Sequence, residues 1–175
     1  MAADFSTSGE ITVRQATLKD AAGLIDLKKG YINETTSIPL YVYEYTNSEA
    51  QEQEWIDKFI MQDNSALFVA EYDGILTGNL DLTGSPRQKL AHTAMLGMGV
   101  AWNWQNKKVG TLLMEAAMDW AIKNSLLDIV WLEVYATNDA GRRLYRNFGF
   151  EECGIIRNFF KEDAPIDKIT MVKYL

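Results

Sequence analysis

The sequence predicts a single α/β domain built on a mixed sheet, and three observations predict it. Apolar residues recur at helical spacing downstream of residue 108, whereas runs with strand patterning lie elsewhere in the chain. Two β-rich runs flank the dipeptide Asp73-Gly74, which is a strong hairpin signal. Strand and helix patterns then alternate through the C-terminal half, which is typical of an α/β domain.

The predicted elements follow the order β-α-α-β-β-β-α-β-α-β-β. The strands are expected at about 11–16, 67–72, 75–82, 89–100, 128–135, 150–160 and 166–174. The helices are expected from residue 18 to a stop at Gly30, and at about 48–61, 109–121 and 139–148. Gly97 and Gly99 predict a bulge in the strand that contains them.

Cap residues support three of the helix starts. Ser48 and Gln51 form a capping-box pattern before the second helix. Thr17 followed by Asp20 is a variant of the same signal before the first helix, and Asn138 is placed as the N-cap of the last one. These residues therefore fix where the helices begin more firmly than the apolar periodicity does.

Length and charge restrict the classes of function. A chain of 175 residues favours one domain, and its net charge of −7 argues against nucleic acid as the main partner. No apolar run approaches the ~20 residues of a membrane span, so no membrane partner is expected. Residues 1–9 lack the features of a secretory signal and are interpreted as a flexible leader before a domain at 10–175.

The cysteine and histidine counts bear on compartment and metal binding. Cys153 is the single cysteine, which leaves no internal disulfide and favours a reducing, cytoplasmic compartment. With one histidine beside one cysteine, no metal site is expected. Cys153 lies within an expected strand and is interpreted as a buried structural thiol.

The segment Gln105–Thr111 joins a predicted strand to the N-terminus of a predicted helix. The first amides of that helix have no intrahelical acceptor, so they are available to an anion. Lys107 and Lys108 stand where the helix dipole disfavours cations, and a bound anion would reverse that penalty. Gly110 lets the backbone approach a ligand closely. A solvated turn with two surface lysines is the alternative.

This segment resembles the pyrophosphate loop of the GCN5-related N-acetyltransferases (GNAT), which bind acyl-CoA. Gln105 and Gly110 match the first and last positions of the family pattern, Gln or Arg, two residues, Gly, one residue, then Gly or Ala. Lys108 occupies the position of the first glycine, which is a departure from the pattern.

A second block resembles the same family. The run from Asn138 to Tyr145 is similar to the family pattern Asn-x-x-Ala-x-x-Leu-Tyr, with Gly141 in place of the alanine, and the pair Gly149-Phe150 follows it. The two blocks together cover about 60 residues, in the order and spacing of the family.

The resemblance implies a GNAT fold, a mostly antiparallel sheet of about seven strands with about four helices and with two strands splayed at the acyl-CoA site. It also implies an N-acetyltransferase that moves an acetyl group from acetyl-CoA to a primary amine by direct attack in a ternary complex. The amine belongs to a small molecule or to a protein or peptide, and a homodimer is a further expectation. The implied cofactor contacts are Met98, Val100, Gln105, Lys107, Lys108, Val109, Gly110, Thr111, Asn138 and Tyr145.

Three residues are the catalytic candidates. Tyr145 matches the family's general acid, and a phenol can donate to a leaving thiolate if it is held within hydrogen-bond reach. Its alternative is a core tyrosine. The backbone N–H near Met98 is the candidate oxyanion donor. Many resembling enzymes carry a glutamate as base where this chain has Met95, which cannot accept a proton. Glu133, which has apolar neighbours in sequence, is the first candidate in its place. The alternatives left open are Glu71, Asp81, His92 and no base at all.

The segment 31–47 is a candidate lining for the acceptor site. It combines carboxylates with four tyrosines, which suits an amine-bearing substrate. A loop whose tyrosines cover the edge of the core is the alternative. Met95 and Lys108 also keep open a second function, that of a non-catalytic acyl-CoA-binding sensor. A nucleotide-binding P-loop is disfavoured because the Gly-Lys-Ser/Thr ending is absent.

Overall fold

The structure is a computed structural model that describes residues 10–175. Seven strands form one sheet in the order β1-β2-β3-β4-β5-β7-β6. The strands are β1 (Thr12–Gln15), β2 (Ala66–Tyr72), β3 (Ile75–Gly84), β4 (Thr93–Val100), β5 (Ile129–Tyr135), β6 (Glu151–Phe160) and β7 (Ile166–Tyr174). The helices are α1 (Ala21–Glu34), α2 (Glu49–Met61), α3 (Val109–Lys123) and α4 (Asp139–Asn147). The predicted α/β domain with seven strands and four helices is confirmed. The leader expected at 1–9 lies outside the described residues.

The helices cover both faces of the sheet and bury a core on each. One core joins α1 and α2 to residues of β2, among them Leu67 and Val69. The other joins α3 to the opposite face of β2, β3, β4 and β5, and it includes Tyr145 of α4. The first is called the α1/α2 face below, and the second the α3/α4 face.

The sheet opens between β4 and β5. These two strands form the parallel pair of the sheet, and their register covers three residues, Thr93 to Met95 opposite Ile129 to Trp131. Beyond Met95, β4 continues beside β3, whereas β5 continues antiparallel to β7 as far as Tyr135. The expected splay of two strands is therefore confirmed, and the gap that it leaves is called the splay below.

Two predicted boundaries are wrong. Helix α1 passes through Gly30 and ends at Glu34, because Tyr31 and Ile32 are buried and their packing outweighs the low helix propensity of one glycine. The strand expected from residue 89 begins at Thr93, since Gln88–Leu90 form a 3-10 turn. The Thr93 hydroxyl donates to the carbonyl of Leu90 at 2.9 Å and ties that turn to the strand.

The bulge expected at Gly97 and Gly99 is absent, because the β3–β4 register runs without a shift through both residues. The glycines instead accommodate side chains from neighbouring elements. A Cβ on Gly99 would lie 2.3 Å from the ring of Tyr31, and a Cβ on Gly97 would lie 2.9 Å from Oδ1 of Asp81. Glycine is therefore required at both positions because a side chain from a neighbouring element lies close to the backbone there.

Strand β6 forms an edge of the sheet and is exposed along nearly its whole length. Cys153 lies on it and is exposed, so the expected burial of this thiol is wrong. The reason is that, within residues 10–175, β6 pairs only with β7 and no helix covers Cys153.

Two searches bear on partner classes. No helix within residues 10–175 has the length and apolar character needed to cross a membrane. In the same range, His, Cys, Asp and Glu side chains do not gather in a group of three or more suited to a metal ion.

Candidate active site

The backbone of β4 supplies polar groups to the splay. The N–H of Ala101 donates to the carbonyl of Thr77 on β3 at 2.9 Å. Because the peptide groups of successive residues in a strand point to opposite sides, Met98 and Val100 direct their N–H and C=O groups away from β3. No β5 residue pairs with them, since the β4–β5 register stops at Met95. Both expected contact residues therefore present open backbone to the gap.

The turn before α3 leaves its first amides open. Lys108 is the N-cap residue, with a left-handed φ of 66°, and no side chain caps the helix. The first backbone hydrogen bond of the helix runs from the N–H of Leu112 to the carbonyl of Lys108, at 3.0 Å. The amides of the first turn, on Val109, Gly110 and Thr111, precede that bond and thus have no intrahelical acceptor.

Two positive charges surround this helix start. Lys107 and Lys108 are both exposed, and the Lys107 ammonium lies 5.1 Å from the centroid of the Trp104 ring. Gln105, also exposed, begins the turn. Open amides, a helix dipole and two ammonium groups together match the needs of a diphosphate. The residues present thus fit the coenzyme whose binding the sequence predicts.

Helix α4 begins at a capped asparagine. Oδ1 of Asn138 accepts a hydrogen bond from the N–H of Gly141 at 2.9 Å. A Cβ on residue 141 would lie 2.7 Å from Nδ2 of Asn138, so glycine leaves room for the cap where the family pattern has alanine. The predicted N-cap role of Asn138 is confirmed.

Helices α3 and α4 meet beside the splay. A Cβ on Gly110 would lie 3.1 Å from Cδ2 of Leu144 and 3.8 Å from the sulfur of Met98. Gly110 therefore lets the start of α3 approach both the last turns of α4 and the splayed strand. This packing places the helix N-terminus next to the open backbone of β4.

Tyr145 lies in the last turn of α4, on the α3/α4 face. Its side chain is buried, and its ring centroid lies 6.0 Å from that of Phe150. Burial and, secondarily, the charge of Asp81 raise the pKa of Tyr145 to about 12. Among residues 10–175, no group is hydrogen-bonded to its hydroxyl. The phenol thus keeps its proton at physiological pH, with that proton uncommitted.

Glu133 lies on β5 and has a cation as its partner. Its Oε1 is 2.6 Å from Nζ of Lys168, and the glutamate side chain is 31% exposed. The Lys168 ammonium also lies 3.9 Å from the centroid of the Phe159 ring. The carboxylate of Glu133 is therefore already engaged by a cation of the fold.

Asp81 is one of the alternatives to Glu133 that the sequence left open. It lies on β3, on the α1/α2 face, directly opposite Gly97 of β4. Its Oδ2 accepts a hydrogen bond from the Thr83 hydroxyl at 3.0 Å. Burial raises the pKa of Asp81 to about 6, while the Thr83 hydroxyl and the charge of Lys28 oppose the increase. The available signal was an acidic residue between Leu80 and Leu82 in an otherwise apolar stretch.

The other two carboxylate or imidazole candidates lie elsewhere. Glu71 is held at the β1–β2 edge by Arg14, at 2.8 Å. His92 precedes β4 at the end where β4 and β5 are still paired, and its carbonyl accepts from the N–H groups of Asp128 and Ile129. Neither side chain belongs to the splay.

A buried polar cluster supports the α1/α2 face. Lys28 of α1 forms an ion pair with the fully buried Glu52 of α2, which also accepts from the Tyr45 hydroxyl at 2.7 Å and from Nδ2 of Asn47 at 2.9 Å. The Lys28 ammonium lies 3.3 Å from the centroid of the Trp55 ring. Both carboxylate oxygens of Glu52 are bound by neighbouring side chains. The cluster is therefore a structural support and not a reactive group.

The tyrosines of segment 31–47 divide into two groups. Tyr31 is buried and donates to Oδ1 of Asn79 at 3.1 Å, and Tyr45 is committed to the cluster around Glu52. Tyr41 and Tyr43 stack with ring centroids 5.4 Å apart and are 56% and 73% exposed. The first two are structural, and the exposed pair is available to a ligand.

Comparison with known proteins places this geometry in a family. L-amino acid N-acetyltransferase AaaT of Escherichia coli is 26% identical over 97 residues, which cover 55% of this chain. The matched chain spans 60% of the length of that relative. An N-alpha-acetyltransferase of Sulfurisphaera tokodaii is 26% identical over 165 residues, covering 89% of this chain and 90% of the relative.

Solved structures share the fold over nearly the whole chain. The crystal structure of a GNAT-family acetyltransferase from Streptococcus pneumoniae superposes with a TM-score of 0.92 at 26% identity. The superposition covers 95% of this chain and 99% of that one. The sequence profile of the acetyltransferase (GNAT) family matches residues 32–150, a range that contains the splay and the starts of α3 and α4. The chain therefore belongs to the GNAT family, whose members are acetyl-CoA-dependent acyltransferases.

Proposed function

We propose that this protein is an N-acetyltransferase that transfers the acetyl group of acetyl-CoA directly to a primary amine in a ternary complex. The observation that carries the proposal is the splay itself. It leaves the backbone of Met98 and Val100 open beside the start of α3, where Gly110 approaches Met98 and also Leu144, the residue before Tyr145. One ligand that has a diphosphate at one end and a thioester at the other matches all three features.

Each group has one task in this proposal. The amides of Val109, Gly110 and Thr111, with Gln105, Lys107 and Lys108, bind the diphosphate. The backbone of Met98 and Val100 pairs with the amide-bearing arm, and the N–H of Met98 stabilises the oxyanion. The phenol of Tyr145 donates its proton to the sulfur as the C–S bond breaks. Asn138 holds the start of α4 and thereby the position of Tyr145.

The acceptor is proposed to be an α-amine. The relatives named above act, by their names, on L-amino acids or on N-alpha groups. In both, the amine is attached to the carbon atom next to a carbonyl group. The exposed pair Tyr41 and Tyr43 offers aromatic faces to such a cation at the rim of the α1/α2 face. An amine of this class reaches the splay from the side opposite Tyr145.

The test combines binding and turnover. Calorimetry measures the uptake of coenzyme A, and a thiol-reactive dye measures its release from acetyl-CoA in the presence of amines. The amines are free L-amino acids, di- and polyamines, and short peptides with a free or a blocked N-terminus. We expect CoA uptake, thiol release with amino acids or free peptides, and none with blocked peptides. Absence of CoA uptake would refute the proposal.

A non-catalytic acyl-CoA sensor is the second candidate. Lys108 at the family's glycine position and Met95 at the family's glutamate position favour it. The same assay separates the two functions, because a sensor would take up CoA without releasing thiol from acetyl-CoA with any amine.

A homodimer is proposed on a separate observation. Ile155, Ile156 and Phe159 are all about half exposed on the edge strand β6, where apolar side chains and an open edge favour pairing with another chain. We expect light scattering of the purified protein to give twice the chain mass, and Ile155→Lys to give the monomer mass. A wild-type monomer at micromolar concentration would refute this part.

A further inference from the structure

One carboxylate beside the splay has no cation next to it. Among residues 10–175, no ammonium or guanidinium group lies within 4 Å of Asp81, and the Thr83 hydroxyl is its side-chain donor. The neighbouring carboxylates differ in this respect. Glu52 accepts from three side-chain donors, and Glu133 is bound to Lys168. Asp81 therefore retains acceptor capacity that the fold itself does not use.

Gly97 gives this carboxylate access to the splay. Asp81 and Gly97 are paired across β3 and β4, and a Cβ on residue 97 would lie 2.9 Å from Oδ1 of Asp81. A side chain at 97 would therefore displace the carboxylate. The pair lies two residues beyond Met95, the last β4 residue that is paired with β5. The Asp81 carboxylate thus lies across β4 at the level where the gap opens.

The groups that interact with Asp81, by charge or by a hydrogen bond, come from three elements. Lys28 and Tyr31 belong to α1, Thr83 belongs to β3, and Tyr145 belongs to α4. The nearest positive charge is that of Lys28, which is already paired with Glu52. Burial outweighs these influences and raises the pKa of Asp81 to about 6. The carboxylate is then ionised at neutral pH and is more basic than an exposed aspartate.

We infer that Asp81 accepts the proton of the acceptor's ammonium group and so generates the neutral amine that attacks the thioester. The inference deepens the proposed function and rests on it. The position opposite Gly97 serves this step because the acceptor enters from the α1/α2 face, on which the carboxylate lies. Asp81 thereby supplies the basic group that Met95 does not.

The proton and bond changes balance as follows. The ammonium transfers one proton to Asp81, and the free nitrogen lone pair forms a C–N bond to the carbonyl carbon. The C=O π electrons move to oxygen, and they return as the C–S bond breaks. The sulfur takes the proton of the Tyr145 hydroxyl, and the second proton lost by the nitrogen restores that hydroxyl through solvent. Asp81 releases its proton to water, which leaves an amide, a thiol and one proton in solution.

The test compares Asp81→Asn with wild type in two measurements. The first is kcat/KM against pH, with acetyl-CoA and the amine of the above panel that reacts fastest. We expect wild type to lose activity as the pH falls through about 6, and Asp81→Asn to lose about 100-fold in rate together with that pH dependence. Asp119→Asn, on the exposed end of α3, is the matched control and should retain both.

The second measurement needs no turnover. Infrared difference spectra of the free protein, wild type minus Asp81→Asn, should show one carboxyl group that is protonated with a pKa near 6. Titration at the ordinary pKa of an aspartate would overturn the inference. So would an Asp81→Asn enzyme that retains its acid limb, or a Glu133→Gln enzyme that loses it.

Failure of the inference and failure of the proposed function give different results. Calorimetry with CoA should be unchanged in Asp81→Asn, since Asp81 lies away from the diphosphate site. If wild type takes up no CoA, the proposed function fails. If wild type binds CoA and turns over while Asp81→Asn does so at the same rate, the inference alone fails. Asp81→Glu, which keeps the carboxylate, should restore part of the rate if Asp81→Asn proves unstable.

Discussion

Burial and, to a lesser extent, the charge of Asp81 raise the pKa of Tyr145, although the two side chains belong to opposite faces of the sheet. Asp81 lies opposite Gly97, which adds no side chain, at the level where β4 has left β5. A carboxylate without a cation thus lies on one side of the opening, and a phenol without a hydrogen-bond partner among the described residues lies on the other. A thioester held between them would have a proton acceptor on its amine side and a proton donor on its sulfur side.

Tyr145→Phe is expected to lower kcat by about tenfold or more, because a proton donor to the leaving thiolate typically contributes at least that much. Coenzyme A affinity should stay nearly constant, since the ring and its packing on Phe150 are kept. Steady-state kinetics and calorimetry measure the two quantities. Tyr174→Phe, at an exposed position on β7, is the matched control. Unchanged turnover in Tyr145→Phe would remove the assignment.

The same tyrosine predicts the shape of the alkaline side of the pH profile. A pKa of about 12 keeps the Tyr145 hydroxyl protonated throughout the usable range. Activity should therefore show no decline between about pH 7 and pH 10 from loss of the acid. A decline centred well below pH 10 that disappears in Tyr145→Phe would contradict the predicted ionisation.

Asp81→Asn is expected to stabilise the protein at neutral pH while it reduces turnover. The folded-state pKa of about 6 exceeds the ordinary 3.8, so ionised Asp81 costs stability above pH 6, and wild type regains that stability as the pH falls through 6. Two pKa units correspond to at most about 3 kcal/mol, so a gain of about 1–3 kcal/mol is expected at pH 7. Urea unfolding at pH 7 and near pH 4.5 should show this gain shrinking with acidification. A loss of stability at pH 7 would contradict it.

The sequence predicted the elements well because local signals agree with the packing. Asp73-Gly74 forms the β2–β3 turn with both residues at positive φ, and Ser48 caps α2 as its pattern requires. The turn before α3 and the position of Tyr145 on α4 were also predictable, since each belongs to one continuous motif. The helix end predicted at Gly30 is wrong because buried residues follow this glycine, and their packing continues the helix.

The proton acceptor that we propose was harder to predict because its environment depends on residues that are distant in sequence. Asp81 gains its position from Gly97, 16 residues later, and its raised pKa from burial beneath α1. Glu133 had apolar neighbours in sequence, but its cation partner Lys168 lies on another strand. Pairing across a sheet, which one sequence does not display, therefore decides which carboxylate has no cation beside it among the described residues.

Lys28→Met is expected to destabilise the fold by about 3–5 kcal/mol, because it leaves the carboxylate of fully buried Glu52 without its cation. Adding Glu52→Gln should recover most of the loss, since the remaining amide is neutral and can still accept from Tyr45 or Asn47. Urea unfolding measures both. The matched control is Lys123→Met, which breaks an exposed pair with Asp119 and should change stability by less than about 1 kcal/mol. Equal effects of the two lysine substitutions would contradict a buried role for Lys28.

Lys108→Gly and Lys108→Ala together separate the effect of the backbone from that of the charge at the turn before α3. Lys108 has a φ of 66°, which costs a residue with a Cβ about 1 kcal/mol and costs glycine almost nothing. The free Lys108→Gly protein should therefore be more stable than Lys108→Ala by about that amount. Both variants remove the same ammonium, so both should bind CoA more weakly than wild type, and that deficit should shrink as salt is added. Calorimetry from low to high sodium chloride measures this dependence. Wild-type affinity in both variants at low salt would show that Lys108 does not contact the diphosphate, and equal stability of the two would show that its left-handed backbone carries no cost.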